Sequence, residues 1–574
     1  MITSDKWGCR ELIAALKAYG VRHVVTSPGS RNAPLLITAA RTPELHVTSV
    51  IDERSAAFIA LGMATISGEP VALICTSGTA MLNYAPAVAE AYYRETPLIV
   101  ISADRPAEWI GQNDSQTMRQ PNTLSAFVKQ SITINGDAGS NTEQWFINRS
   151  LNDVLTCALR GRRGPVHINI TLTQPLTNQV EVESHTFHKI DLFEHPNVIT
   201  TAQSRAIAEE LHNKRVLIFA GIGAPTAQLN RAISTLATMP NVAVIAEGLS
   251  NLHSEGVIWN IDPIFSNLQL TDYGHTKAAE LKPDLLISFG GAPVSARWKQ
   301  VARSWHIEHW HVGIADNAID TYQSLTRRID FSPEAFFPRV ANAICFREKA
   351  QPNGSNYYQL WNDFATEISS ARADSKHCKS NSHTDREWNG LNAVATVLQR
   401  TPANWNLQLS NGMTVRYALL NDLRRHHRVD CNRGVSGIDG SVSTAVGAST
   451  LYKNITLLIT GDTSAQYDLA ALTTTLLTER FRMVVLNNGG GGIFNYIATT
   501  SKLPERDQLF KGELNLPLQQ LAETFSMFYA KATDFASLNQ GLQLLRADLD
   551  RPMILEIVTD ADIDAEAMKR ILNE

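Results

Sequence analysis

The 574-residue chain is short of the features that mark nucleic-acid or membrane binding. Lys and Arg total 51 against 56 Asp and Glu, so the net charge of −5 offers no basic field to hold a polyanion or an anionic bilayer. Any compact anion must be met by locally placed arginines. The six cysteines (Cys9, Cys75, Cys157, Cys345, Cys378 and Cys431) include no C-x-x-C pair and no metal-ligand spacing. That excludes a zinc-ribbon reading and a disulfide framework, and it fits a reducing compartment. No apolar run approaches the roughly 20 residues of a membrane span. The opening MITSDKWGCREL carries charge where a signal peptide needs an apolar core, so a cytoplasmic location is expected. No repeat at solenoid periods is present.

What is there is alternation. Short β-branched runs alternate with helical periodicity: Glu11–Tyr19 reads as a helix, and His23–Thr26, Val71–Cys75, Pro97–Ser102 and Gly164–Ile170 as strands. A second set includes Arg215–Ala220 and Asp284–Phe289, and a third includes Thr456–Thr460, Met483–Leu486 and Met553–Val558. Such alternation predicts an α/β fold of three doubly wound parallel-sheet domains. The expected boundaries are 1–185, 198–348 and 375–574, with Asn178–Asn197 as a linker and a polar connector containing one helix over 349–374. The Gly221-Ile-Gly223 turn invites a dinucleotide reading, but Thr226 stands where the third glycine belongs, and a tight turn is expected instead. Arg297 and Lys299 read as a solvated helix start.

The most informative stretch is Gly461–Phe494. A buried strand delivers Gly461-Asp462 at its carboxyl end, where ligands bind in open α/β sheets. Leu469, Leu472, Leu476 and Leu477 follow at helical spacing, and a second strand ends in Asn487-Asn488 and four glycines. An Asp carboxylate, an Asn oxygen and a glycine-loop carbonyl make an all-oxygen half-shell suited to Mg²⁺, and the glycines let backbone approach phosphates. This spacing resembles the diphosphate-binding motif of thiamine diphosphate (ThDP) enzymes. The resemblance implies that Asp462, Asn488 and the carbonyl of Gly490 hold Mg²⁺ or Mn²⁺, with Asn487 the alternative one position away.

In the first block, Glu53 stands where a strand gives way to an alanine-rich helix, and Cys75-Thr76-Ser77-Gly78-Thr79-Ala80 follows. An acid at a helix start is commonly a dipole partner. In a ThDP enzyme it is instead the carboxylate that activates the aminopyrimidine. Three loops, Thr26–Asn32, Ser102–Pro106 and Asn113–Gln120, follow or lie near strand ends and are expected to converge, with Arg31 and Arg105 offering bidentate forks to carboxylates.

SPGSR, DER, TSGTA, ADRP and Q-x-x-R-Q, with NRGVSGIDG and GD…NN, together resemble the MenD family, the 2-succinyl-5-enolpyruvyl-6-hydroxy-3-cyclohexene-1-carboxylate synthases of menaquinone biosynthesis. The resemblance covers the first block, then a pyrimidine-binding domain, and the last, then a diphosphate-binding domain; the middle block matches in position. It implies ThDP-dependent decarboxylation of 2-oxoglutarate and addition of the succinyl unit to isochorismate. It assigns Glu53 as activator, and Thr76, Ser77, Gly78, Ile438, Gly461, Asp462, Thr463, Ser464, Asn488, Ile493 and Phe494 to the cofactor. Ser30, Arg31, Arg105 and Gln116 fall to isochorismate, and Asn411, Arg416 and Arg433 to the 2-oxoglutarate side. Gly412 departs from the family, where many relatives carry serine. The resemblance also implies a homodimer or homotetramer, because the activating glutamate and the metal site lie on different subunits. Nucleic acid and membrane insertion have no place in it. Two other readings are an acetolactate synthase-like decarboxylase or carboligase, which leaves the arginine loops without a use, and a ThDP-fold protein without chemistry, which leaves Glu53, Asp462 and Asn488 unexplained.

Overall fold

Val71–Cys75, Val216–Ala220 and Leu457–Ile459 are apolar on both faces because each runs through the middle of a parallel sheet covered by helices on either side, and each is essentially inaccessible to water. A computed structural model describes residues 2–183, 185–193, 198–345, 356–374 and 387–572. Residues 349–355 of the expected connector lie outside the described residues, as do 346–348 at the expected end of the middle domain and 375–386, with Cys378, at the expected start of the last.

Three six-stranded sheets, all parallel, are found among the described residues. The first runs, in spatial order, 46–49, 23–26, 71–75, 98–104, 166–171, 131–135. The last runs 428–431, 406–409, 456–461, 481–487, 553–558, 528–532. Numbered along each block, both orders are 2-1-3-4-6-5. The first and last blocks therefore share one topology that no sequence repeat announces. The middle sheet differs, with 257–258, 242–246, 216–220, 285–289, 308–312, 325–329, the order 3-2-1-4-5-6.

The first and last blocks pack through equivalent crossover helices, Glu53–Ser67 and Ser441–Leu451. They cross closely because glycine lies at the contact. A Cβ on Gly62 would stand 2.0 Å from the Thr444 carbonyl oxygen, and one on Gly447 would stand 2.0 Å from that of Ile59. Gly440, at φ +70°, meets the Phe58 ring.

Four sequence expectations change. The helix after Asp462 ends at Tyr467, and a 3₁₀ turn spans Leu469–Thr473. The reason is Asp468, which leaves the helix to accept the Ser443 N–H at 2.6 Å and hydroxyl at 2.7 Å, after which three threonines disfavour its resumption. A strand at Ser131–Asn135, short and half-exposed, forms the edge of the first sheet. Part of the expected linker, Gln179–Glu181, pairs antiparallel with Ile2–Ser4. The connector helix, Tyr357–Asp374, packs on the middle block, with Trp361 buried near Phe265 and Trp305 and the Tyr357 hydroxyl donating to the Leu281 carbonyl at 2.7 Å.

Among the described residues no helix is long and apolar enough to cross a membrane. Gly62→Ala is expected to destabilise the protein by about 3 kcal/mol or more, since the atom it meets is backbone that cannot rotate away. Gly139→Ala, whose new Cβ meets nothing within 4 Å, should stay within about 0.5 kcal/mol. Chemical denaturation of both variants checks this, and equal midpoints would refute the close-crossing account.

Candidate active site

In a sheet of order 2-1-3-4, the chain leaves strands 1 and 3 in opposite directions and opens a crevice at their carboxyl ends. In the last sheet that crevice lies between 406–409 and 456–461, so Ser410-Asn411-Gly412 faces Gly461-Asp462 across it. Asp462 is 1% exposed. Its Oδ2 accepts the N–H groups of Gly489 and Gly490, both at 2.9 Å, and its Oδ1 accepts that of Thr463 at 2.6 Å. Burial still raises its proton affinity above the ordinary aspartate value of 3.8, and what opposes burial is N–H and hydroxyl donors rather than a cation.

Asn488 donates Nδ2 to Asp564 Oδ2 at 3.2 Å, leaving Oδ1 as its remaining ligand atom, whereas Asn487 is tied to Glu556 Oε1 at 2.6 Å. The glycine run divides in two. Gly490 and Gly492 lie against Gly512 and the Asn488 side chain, while Gly461 and Gly489 border open space that a compact anion could fill. Among the described residues no group of three His, Cys, Asp or Glu could by itself hold a metal ion. The donors available here, a buried carboxylate, an amide oxygen and peptide carbonyls beside an open cradle, fit a hard divalent cation that takes its other ligands from phosphate and water. Thr463 and Ser464 lie in the first helical turn, and Ser464 anchors the Ile438 carbonyl at 2.6 Å while the Ile438 side chain remains 40% exposed. Ile493 and Phe494 begin the short helix after the glycine run, and the Phe494 ring contacts Phe510.

The first sheet opens its crevice between 23–26 and 71–75. Thr76 and Ser77 are buried there, Gly29 lies so close that a Cβ would reach Thr76 at 2.3 Å, and Gly78, at φ +81°, donates its N–H to Gln120 Oε1 at 2.8 Å. Gln120 belongs to the Q-x-x-R-Q motif, but the sequence reading took only Gln116 from it. Gln120 is fully buried and also donates to Asn169 and the Ala103 carbonyl, whereas Gln116 is exposed and passes its backbone over Gly78.

The expected convergence of the three loops is present. Arg31 is buried, donates to the Leu172 carbonyl at 2.7 Å, and has its charge disfavoured by burial and then by Arg105. Arg105 pairs with Asp114 at 2.6 Å and keeps a buried Nε without a protein acceptor. Ser30 is exposed beside them.

A second cationic cluster lies at the last sheet. Arg433 donates Nη1 to Asn411 Oδ1 at 2.9 Å, and its buried Nε has no protein acceptor. Arg416 donates to the Gly412 carbonyl at 2.5 Å, and burial followed by Arg433 lowers its hold on the proton. Asn411, expected to bind ligand, spends Nδ2 on the carbonyls of Asn432 and Gly437 at 2.6 Å each, so it organises the loop. Gly412 adopts φ +95°, which a serine would hold only under strain. Lys299 is not a solvated helix start: it is half-buried, and after burial the cation that most lowers its proton affinity is Arg433, with Arg303 and Arg416 also contributing. Three cations thus gather around the Arg433 Nε, a buried donor without a protein acceptor, as an anion site requires.

Glu53 is the first residue of its helix, whose cap is the Asp52 side chain bound to the Ser55 N–H at 2.7 Å. Burial raises the Glu53 proton affinity, and Cys75 and Tyr84 lie within its field. Ile51, just before it, is 83% exposed.

Residues 7–124 match the family profile described as the thiamine pyrophosphate enzyme N-terminal TPP binding domain. Over whole chains, the sequence is 37% identical to a 2-succinyl-5-enolpyruvyl-6-hydroxy-3-cyclohexene-1-carboxylate synthase of Porphyromonas gingivalis, covering 99% of this chain and 96% of that one. It is 37% identical to the enzyme of that name from Cytophaga hutchinsonii, over 96% of both chains, and 33% identical to that from Flavobacterium johnsoniae, over 98% of both.

If Asp462 holds a divalent cation, a proton would compete with it for the carboxylate, and binding of ThDP with Mg²⁺ should then be flat at high pH and weaken as pH falls through the raised pKa of Asp462, by up to about tenfold per unit. Tryptophan fluorescence titrations from pH 8 to 5 check this against Asp462→Asn, whose weaker binding should lack that slope; equal slopes would refute it.

Proposed function

The chain belongs to the 2-succinyl-5-enolpyruvyl-6-hydroxy-3-cyclohexene-1-carboxylate synthase family, and on that premise we propose that it decarboxylates 2-oxoglutarate and joins the succinyl unit to isochorismate, in menaquinone biosynthesis. It is a ThDP-dependent enzyme acting on small molecules. The observation that carries the substrate reading is the presence of two separate arginine clusters at sheet edges, each with a buried Nε lacking a protein acceptor.

ThDP, when bound, would supply a carbanion equivalent and an electron sink for loss of carbon dioxide from a 2-oxoacid. The residues of this chain bind, orient and hold protons around it. Asp462, Asn488 and the Gly490 carbonyl would hold Mg²⁺ or Mn²⁺, and Gly461, Thr463 and Ser464 would border the diphosphate. Thr76, Ser77 and Gly78 would meet the pyrimidine, and Ile438, Ile493 and Phe494 would shape the apolar part of the pocket. Glu53, whose carboxyl burial pushes above the usual glutamate range, would be the group that exchanges a proton with the aminopyrimidine nitrogen. Arg416 and Arg433, with Lys299 beside them and Asn411 bracing the loop, take the carboxylates of 2-oxoglutarate. Arg31, Arg105, Ser30 and Gln116 take those of isochorismate, and Arg105 exchanges Asp114 for substrate.

We assign 1–185 to the pyrimidine side, 198–348 to the middle domain and 375–574 to the diphosphate side. The exposed Ile51 beside Glu53, and Leu82 and Tyr467 at 41% and 51% exposure, suit burial by a second copy, so the working form is a homodimer or larger, in the cytoplasm.

The test is to supply ThDP, Mg²⁺ and 2-oxoglutarate with and without isochorismate, following carbon dioxide and product mass together. Rapid turnover is expected only with both substrates; preference for pyruvate would overturn the reading in favour of a carboligase for small substrates. Glu53→Gln should lose at least about 100-fold in kcat with cofactor still bound. Arg433→Ala should raise KM for 2-oxoglutarate, and Arg105→Ala that for isochorismate, each by about 10- to 100-fold.

A further inference from the structure

Arg433 lies in a loop, Asn432–Val435, that follows strand 428–431 and has no regular structure of its own to fix it. Its own block supplies three restraints: Asn411 Nδ2 donates to the Asn432 carbonyl, Asn432 Nδ2 donates to Thr444 Oγ1 at 2.9 Å, and Arg433 Nη1 itself donates to Asn411 Oδ1 at 2.9 Å. The remaining restraints come from the first block. Glu90, on the helix Ala85–Tyr93, is 3% exposed, and its carboxylate points out of its own domain. Oε1 accepts the Gly434 N–H at 2.7 Å and Oε2 the Val435 N–H at 2.6 Å. Arg94, one residue beyond the same helix, donates Nη1 to Asn432 Oδ1 at 2.9 Å. Gly434 permits this approach, since a Cβ there would stand 2.5 Å from the Glu90 carbonyl oxygen.

We propose that Glu90 is a positioning residue for 2-oxoacid recognition: its carboxylate receives the two peptide N–H groups that follow Arg433 and so fixes the direction in which that guanidinium leaves the backbone. The proposal rests on the assignment of Arg433 to the 2-oxoglutarate carboxylate. A carboxylate suits the task because both its oxygens accept, in one plane and at fixed separation. Glutamine of the same shape offers one acceptor and sets an NH₂ against the other peptide N–H. Because Glu90 belongs to the first block and Arg433 to the last, the contact makes recognition of the 2-oxoacid depend on the seating of the two blocks. The motif around Arg433 thus requires a partner that lies 343 positions earlier in the chain.

Steady-state kinetics of Glu90→Gln test this against wild type and Arg433→Ala, with ThDP titrated by tryptophan fluorescence and thermal unfolding followed in parallel. The expected result is a KM for 2-oxoglutarate raised about tenfold or more, with KM for isochorismate and ThDP affinity within about twofold of wild type. Glu90→Asp, one methylene shorter, should fall between. Arg94→Met should shift KM in the same direction by less, and it tests the same bracket should Glu90→Gln not fold. An unchanged 2-oxoglutarate KM in Glu90→Gln and Arg94→Met, beside a raised one in Arg433→Ala, would overturn the proposal. So would a matched loss of both substrates and cofactor, which marks a general domain contact. If Arg433→Ala leaves the 2-oxoglutarate KM untouched, the assignment of Arg433 falls first and that of Glu90 with it.

Discussion

Within one chain the pyrimidine side and the diphosphate side are set relative to each other by one close contact, the crossing of helices Glu53–Ser67 and Ser441–Leu451 over Gly62 and Gly447. Each helix has a pocket residue at or just before its start: Glu53 opens the first, and Ile438 lies just before the second. A crossing at backbone distance leaves little freedom to slide, because the atoms in contact are carbonyl oxygens rather than side chains that can choose another rotamer. Asp468 reinforces it by capping Ser443 in the first turn of the second helix, and burial lifts that carboxyl to about 6. The Arg54 guanidinium donates to the Tyr467 carbonyl at 2.7 Å and lies over the Tyr467 ring, so the first helix is tied to the turn that carries Asp468.

Around this frame the protein holds charges it does not itself neutralise. Asp462 is a buried carboxyl whose desolvation is offset by N–H and hydroxyl donors and not by a cation. Arg416, Arg433 and Lys299 are cations that disfavour one another. Burial of unpaired charge costs folding energy, and bound ligands of opposite charge recover it. Such a site is preorganised: the groups are fixed before the ligand arrives, by backbone N–H donors for Asp462 and by Asn411 for Arg433. The fold therefore accepts lower stability when empty and gains most from binding, which couples occupancy to stability by mass action.

Much of this was legible in the sequence, for identifiable reasons. The central strands were read correctly because double-sided burial makes them continuous apolar runs, and Gly461-Asp462 was placed because strand ends in parallel sheets are where ligands bind. The helix through Leu476 was misread because periodicity registers leucines and not the tertiary bond that draws Asp468 to Ser443. Ser131–Asn135 escaped because an edge strand is short and only half covered. Gln120 stood inside a quoted motif, yet nothing in the one-dimensional pattern distinguishes a glutamine that fixes a turn from one that meets ligand. Glu90 had no local signal at all. Its role arises from a contact between blocks, and pairings of that kind are written in the packing rather than in any window of residues.

The middle block shows the limit of reading activity from topology. Its strand order, 3-2-1-4-5-6, is that of dinucleotide-binding sheets, and Gly221-Ile-Gly223 follows the first strand as it would there. The crevice is nonetheless closed by backbone. Gly221 N–H donates to the Phe289 carbonyl at 2.9 Å, Gly291 N–H to that of Ile222 at 2.7 Å, and a Cβ on Gly221 would strike the Gly291 oxygen at 2.0 Å. The glycines serve the approach of two loops to each other and not to a pyrophosphate, and Thr226, in the third glycine's place, caps the next helix. What the block gives the site comes from its rim. Asn251 accepts the Val429 N–H at 2.7 Å and donates to the Val429 carbonyl at 2.8 Å, covering the edge strand that leads to Arg433. The helix from Ala296 brings Lys299 to the cation cluster. A dinucleotide fold with its crevice sealed has thus become a wall of the neighbouring site, which is the sense in which function belongs to the site and not to the fold.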